Sequence, residues 1–199
     1  MARGPLNIAS FLMGASEFME ALKTEPELMH CLLSIVTDFL MDWIAVQREA
    51  FLSIDGIFLL DDIVGFVSRR DFEIFGLPYL QRAFDEDVSV KFFHNDAASK
   101  ASAALLETAG INLLNFGMQY KLTEMKAWTN NRIALMGNIP PRDVLAEGTP
   151  ADVKRSVREM LNALDDRSRL IISCGEGMPP HAPTENIKVL ISTVAEETG

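Results

Sequence analysis

Two short segments hold the residues best suited to chemistry. His94-Asn95-Asp96 closes the apolar run Val90-Lys91-Phe92-Phe93, and Cys174-Gly175-Glu176 closes Leu170-Ile171-Ile172-Ser173. Residues two apart on a strand point to the same face. Each segment therefore aims two metal-capable or proton-active groups in one direction, an imidazole with a carboxylate and a thiol with a carboxylate. The two pairs converge if their strands are neighbours. A third segment, Asp61-Asp62, ends the apolar run Ile57-Phe58-Leu59-Leu60. At least one of these carboxylates should face the same rim, in a substrate-binding or general-acid role. No Ser-His-Asp order or nucleophile elbow is present, and His30 and His181 join no constellation.

The elements that must position these groups alternate along the chain. Apolar residues at three- and four-residue spacing predict a helix from about Glu27 to Ser53. The turn Asp55-Gly56 leads into the Ile57–Leu60 strand, and a helix follows from about Ser68 to Phe84, with Pro78 as a kink or break. After the Val90–Phe93 strand come a helix over Ala97–Ala109 that stops at Gly110, a strand over Ile111–Phe116 and a helix near Leu122–Asn130. Arg132–Met136 is the next strand, closed by Gly137-Asn138 and stopped by Pro140-Pro141. Thr149-Pro150 opens a helix to about Leu164, with Pro at the first helical position. The Leu170–Ser173 strand and a helix over Thr184–Glu197 complete the pattern.

Five buried, unalternating strands separated by helices predict a parallel α/β sheet covered on both faces. The spacing fits a doubly wound sheet or part of an eight-stranded barrel. No glycine-rich nucleotide fingerprint is present. In either architecture a site belongs at the carboxyl ends of the strands, where Asp61, Asp62, His94, Asp96, Asn115, Asn138, Cys174 and Glu176 collect.

Composition limits the partners. The chain has 199 residues, 48% of them hydrophobic, with 18 basic and 28 acidic residues and a formal charge of 18 − 28 = −10. That charge repels phosphate backbones and anionic lipid, so nucleic-acid and membrane-surface roles are not expected. Two cysteines make no disulfide framework, and the chain reads as cytoplasmic. Asn7, Ser10, Glu17 and Glu20 argue against a signal peptide, and Asp38, Asp42, Arg48 and Glu49 argue against a membrane span in the long helix. Trp43 and Trp128 read as packing residues, and Met13, Met118 and Met125 as fillers of the core, with Met13 near the site.

Several short motifs resemble the uroporphyrinogen decarboxylase superfamily, which holds both porphyrinogen decarboxylases and cobalamin-dependent methyltransferases on a (β/α)8 barrel. Gly4-Pro5-Leu6-Asn7 resembles its Gly-Pro-Phe-Thr segment, Leu60-Asp61-Asp62-Ile63-Val64-Gly65 its acidic strand end, and Gly76-Leu77-Pro78-Tyr79 its Pro-Tyr helix. Met136-Gly137-Asn138-Ile139-Pro140-Pro141 is similar to its Gly-Asn-(Ile/Leu)-Asp-Pro turn, and Gly148-Thr149-Pro150 and the stretch from Pro179 to Asn186 match further landmarks. The resemblance implies a TIM-type barrel of which this chain supplies the C-terminal five or so βα units, as one partial domain lacking the N-terminal strands. Such a chain would be a truncated product or one completed by another chain, as a homodimer or with a different partner.

The resemblance also implies a chemistry. Zinc methyltransferases of the superfamily hold their metal with His-x-Cys after one strand and a Cys after the last. Here the first motif is His94-Asn95-Asp96, and the last-strand cysteine aligns with Glu176, Cys174 lying two residues earlier. His94, Asp96 and Glu176 or Cys174 are the implied zinc ligands, Asp61 and Asp62 the implied catalytic carboxylates, and Asn115, Asn138 and Met13 the implied substrate contacts. Oxygen ligands would leave zinc a stronger Lewis acid than thiolates do. The implied function is methyl transfer from a small methylated or methoxylated compound to a corrinoid on a separate protein. Two other readings stay open: a uroporphyrinogen decarboxylase, and an inactive barrel fragment that folds only by association. The decarboxylases carry an arginine-rich N-terminal segment absent here, and a Gly-His-Gly where this chain has Gly175-Glu176-Gly177.

Overall fold

The structure is a computed structural model describing residues 1–98 and 100–198. Strands and helices alternate along the chain and the described pairings are parallel, which is the α/β class of a (β/α) barrel segment. The chain divides into two compact units, Met1–Leu114 and the residues from Asn115 on.

In the first unit, β1 (Ala2–Arg3) pairs with β2 (Gly56–Leu60), and β2 with β3 (Val90–Asn95). Three helices join β1 to β2: α1 (Pro5–Met13), α2 (Ala15–Thr24) and α3 (Pro26–Ala50). Neither β1 nor the first two helices were expected from the sequence. Their signal was Gly4-Pro5, an N-cap followed by proline at N1, which needs a free N–H least. Gly14, at φ 96, then ends α1 and starts α2 in a conformation that costs other residues more.

α3 packs against α1, α2 and the helix that follows β2, burying Met29, Leu33, Val36, Leu40 and Ile44. By length and composition it is also the one helix among the described residues apolar enough to cross a membrane. Its other side leaves Ile35, Phe39 and Trp43 exposed, so Trp43 is not the packing residue its sequence context suggested.

The expected Ser68–Phe84 helix is divided into α4 (Arg69–Asp71), a π turn over Phe72–Gly76 and α5 (Leu77–Phe84). Pro78 has no N–H for the preceding turn, and the wider π turn absorbs the gap. Gly76 is required there, because a Cβ would stand 2.4 Å from the Phe72 ring. The expected helix over Ala97–Ala109 does not form. Asn95 Oδ1 accepts the Ala97 N–H at 2.8 Å, an alternative to the helical ladder, and among the described residues of this stretch only the single turn Ala103–Leu105 is helical, in the 3-10 form. Ser99, inside that expected helix, lies outside the described residues.

β4 (Leu113–Phe116) falls at the boundary between the units. The second unit contains α6 (Leu122–Trp128), β5 (Ala134–Met136), a π turn over Pro141–Ala146, α7 (Pro150–Asn162), β6 (Leu170–Ile171) and α8 (Thr184–Thr198). β6 is two residues long where four were expected, because beyond Ile171 only the isolated bridge Ile139–Cys174 continues its pairing with β5. Ile139, Leu145, Val153, Val157 and Leu161 form this unit's core, with Cys174, Val189 and Val194 packed against them. Thr149 and Asp152 make a capping box at the start of α7.

Candidate metal centre

The register of β2 on β3 fixes the site. Leu60 lies opposite His94 and Phe58 opposite Phe92. Alternation puts these four side chains on one face. The Phe58 and Phe92 rings stack with centroids 4.5 Å apart, and the His94 ring meets Phe58 edge-on at 6.1 Å. An apolar wall therefore backs the imidazole and limits its rotation.

The two aspartates beyond Leu60 serve different ends. Asp61 is fully buried and caps α1: its Oδ2 accepts the Leu6 N–H at 2.9 Å and its Oδ1 the Asn7 N–H at 3.0 Å. Burial pushes its carboxyl up to about 8, against the downward pull of those two N–H groups. Gly4 makes room for it, since a Cβ at residue 4 would stand 2.4 Å from Asp61 Oδ2. Asn7 completes the junction, donating to the Leu60 carbonyl at 3.3 Å and accepting the Ile63 N–H at 3.3 Å.

Asp62 turns instead toward His94 and Asp96. Its Oδ1 accepts the Asp96 N–H at 2.8 Å, and His94 Nε2 lies 3.0 Å from Asp96 Oδ2. Asp62, His94 and Asp96 each offer one ligand atom, all within 4.8 Å of one another. Two ligands of one zinc ion are separated by at most about 4.4 Å, given bonds of roughly 2.0–2.2 Å. Small side-chain rotations would bring the three atoms within that limit. One imidazole and two carboxylates, half-buried against an aromatic wall, fit zinc or another divalent cation of similar hardness. The histidine and Asp96 belong to the expected ligand set, and the third member is Asp62, which the sequence had marked for proton transfer.

The remaining sequence-marked residues have local roles. Cys174 Sγ donates to the Glu176 carbonyl at 2.8 Å and packs on the second unit's core. Glu176 is half-buried, and its charge helps raise Arg142, whose guanidinium is held chiefly by Asp143. Asn115 is buried, its amide donating to the Met136 carbonyl at 2.7 Å and the Cys174 carbonyl at 3.2 Å. Asn138 donates to the Tyr120 carbonyl at 2.8 Å and borders a cavity of about 370 Å³ lined also by Met118, Leu122, Glu159 and Met160. Met13 is half-buried at the last position of α1. His30, unassigned from sequence, has its Nδ1 2.7 Å from the Tyr79 hydroxyl and its ring stacked on Phe75.

The uroporphyrinogen decarboxylase (URO-D) family model matches residues 1–197. Among curated relatives, the uroporphyrinogen decarboxylase of Chlorobium limicola is 26% identical over 183 residues, covering 87% of this chain and 50% of that protein. That of Psychromonas ingrahamii is 25% identical over 209 residues, covering 98% of this chain and 57% of its own length. The chain thus spans about half the length of the curated relatives it matches. A solved methyltransferase from Methanosarcina mazei shares the fold with a TM-score of 0.84 at 23% identity, covering 99% of this chain and 58% of its own.

Proposed function

Because the chain belongs to the uroporphyrinogen decarboxylase family, we propose that it carries a zinc-holding site of the methyltransferase kind, passing a methyl group from a small methylated or methoxylated compound to a corrinoid on a separate protein. The observation that carries this reading is the convergence of Asp62, His94 and Asp96. The fold shared with the Methanosarcina mazei methyltransferase supports it. Zinc held by these three side chains would supply Lewis acidity, polarising the oxygen or nitrogen that gives up its methyl group.

The chain's own residues prepare the site. The Asp96 N–H fixes one Asp62 oxygen, which orients that carboxylate. Phe58, itself stacked on Phe92, walls one side of the imidazole. Asp61 acts as a positioning residue, tying the carboxyl end of β2 to the start of α1 so that Asp62 emerges in a fixed direction. The test is metal analysis of the purified chain after zinc loading, for wild type and His94→Ala. About one zinc per chain, lost in the variant, is the expected result. A chain that takes up no zinc, or takes it up equally in both forms, overturns the reading.

A second reading, decarboxylation of uroporphyrinogen, is favoured by the names of the curated relatives at 25–26% identity. Carbon dioxide release from uroporphyrinogen by metal-stripped protein would support it over methyl transfer.

A further inference from the structure

Asn95 stands between two of the ligand residues without being a ligand itself. Alternation along β3 turns it away from the face that carries His94, and it has no exposed surface. Its two polar atoms are served unequally. Oδ1 accepts the Ala97 N–H at 2.8 Å, whereas Nδ2 is buried and finds no acceptor among the described residues. A buried donor without a partner costs about 1–3 kcal/mol. An apolar side chain of similar size would avoid that cost, so what asparagine contributes at this position is the Oδ1 bond.

That bond acts on Asp96. Pairing between β2 and β3 continues to the Asp61 N–H, which donates to the His94 carbonyl at 3.0 Å. The Asp96 N–H then goes to a side chain, Asp62 Oδ1, at 2.8 Å. The peptide on one side of the Asp96 α-carbon is therefore held by Asp62, and the peptide on the other side by Asn95. Two fixed peptide planes fix the dihedrals between them, and with those the direction in which the Asp96 side chain leaves the backbone. It leaves toward His94, whose Nε2 lies 3.0 Å from Asp96 Oδ2. Gly65 closes the turn from outside. A Cβ there would stand 2.4 Å from the Ala97 Cβ and 2.7 Å from the Ala98 nitrogen, so the Asp62–Gly65 turn packs directly on the segment that Asn95 holds.

Resting on the zinc reading, we propose that Asn95 is a positioning residue for the metal centre: its Oδ1 holds the peptide after Asp96 so that this carboxylate is aimed before the ion arrives. Without that bond Asp96 is ordered only at the moment of binding, and the affinity falls by the entropy of the ordering. Groups that orient metal ligands from behind are worth about 10–100-fold in affinity.

The test titrates the full chain with cobalt(II), a coloured stand-in for zinc, in wild type, Asn95→Leu and Asn95→Ser. Leucine keeps the volume and removes both polar atoms, whereas serine returns a weaker acceptor for the same N–H. Asn95→Leu should bind cobalt about 10–100-fold more weakly, yet unfold at no lower urea concentration than wild type. Asn95→Ser should recover part of the affinity. In the metal-free chain, the Asp96 amide proton should resonate downfield in wild type, as a donor to a carboxylate does, and move upfield in Asn95→Leu. A wild type that binds no cobalt would sink the zinc reading and this role with it. If wild type binds and Asn95→Leu binds equally, Asn95 positions nothing and the zinc reading stands. A loss of affinity matched by a loss of stability, or one that leaves the Asp96 amide resonance in place, would reduce Asn95 to a packing residue.

Discussion

Asp61 occupies the space that a side chain at Gly4 would need: a Cβ there would lie 2.4 Å from one carboxylate oxygen and 2.6 Å from the Asp61 Cβ. The end of β2 and the start of α1 are in effect one junction, and the aspartate that leads to the site is fixed through it.

Gly4→Ala should therefore destabilise the chain by about 1–3 kcal/mol, the usual cost of overpacking a closed site. Asp61→Asn should cost a similar ~1–3 kcal/mol, since its amide group leaves one of the Leu6 and Asn7 N–H donors buried without an acceptor. Urea unfolding measures both. Equal stabilities for wild type and Asp61→Asn would show that the cap contributes nothing.

The same carboxyl gives a pH signature. Its folded value of about 8 lies above the ordinary 3.8, so the folded chain holds the proton more tightly than the unfolded chain. The associated stability is complete below about pH 4 and is lost as pH rises toward 8. Unfolding free energies at pH 5 and pH 8.5 should differ more in wild type than in Asp61→Asn. An identical difference in the two proteins contradicts this.

Asp152 should behave in the opposite sense. Hydrogen bonds from the Thr149 side chain and backbone, with Arg155 beside them, hold its carboxyl down to about 2. Its contribution is present above about pH 4 and lost as pH falls through 2. Protection factors of the amides in the first turn of α7, corrected for the intrinsic exchange rate at each pH, should fall across that interval, and in Thr149→Ala they should be low already at pH 5.

Zinc should also stabilise the fold. At 100 times its dissociation constant, a ligand that binds only the folded chain adds about 2.7 kcal/mol. Thermal unfolding with and without zinc should show a rise in Tm for wild type, and little or none for Asp62→Ala, His94→Ala or Asp96→Ala. A rise of the same size in His94→Ala would place the ion elsewhere.

Much of this organisation was legible in the residue pattern. Val90–Phe93 reads as a strand because its apolar run is short and bounded, and it carries His94 and Asp96 to one face by alternation. The same alternation separates Asp61 from Asp62, but only the pairing with β3 and the position of α1 show which one turns to the histidine. Residues 97–109 misled because their alanines favour a helix, whereas the capture of the Ala97 N–H by Asn95 is a local competition that propensity does not register. For α3, periodicity shows that the helix is apolar but not that it has two apolar faces, one turned inward and one outward.

Asn115 has a kinetic consequence. Its amide binds carbonyls 21 and 59 residues further along the chain, at Met136 and Cys174. Contacts that close long loops cost chain entropy before they return any stability, and they tend to form after local helices. This tie should therefore close late, beyond the rate-limiting barrier. Asn115→Ala should leave the refolding rate nearly unchanged and speed unfolding, so that the side chain acts as a latch on the folded second unit rather than as a guide to its assembly.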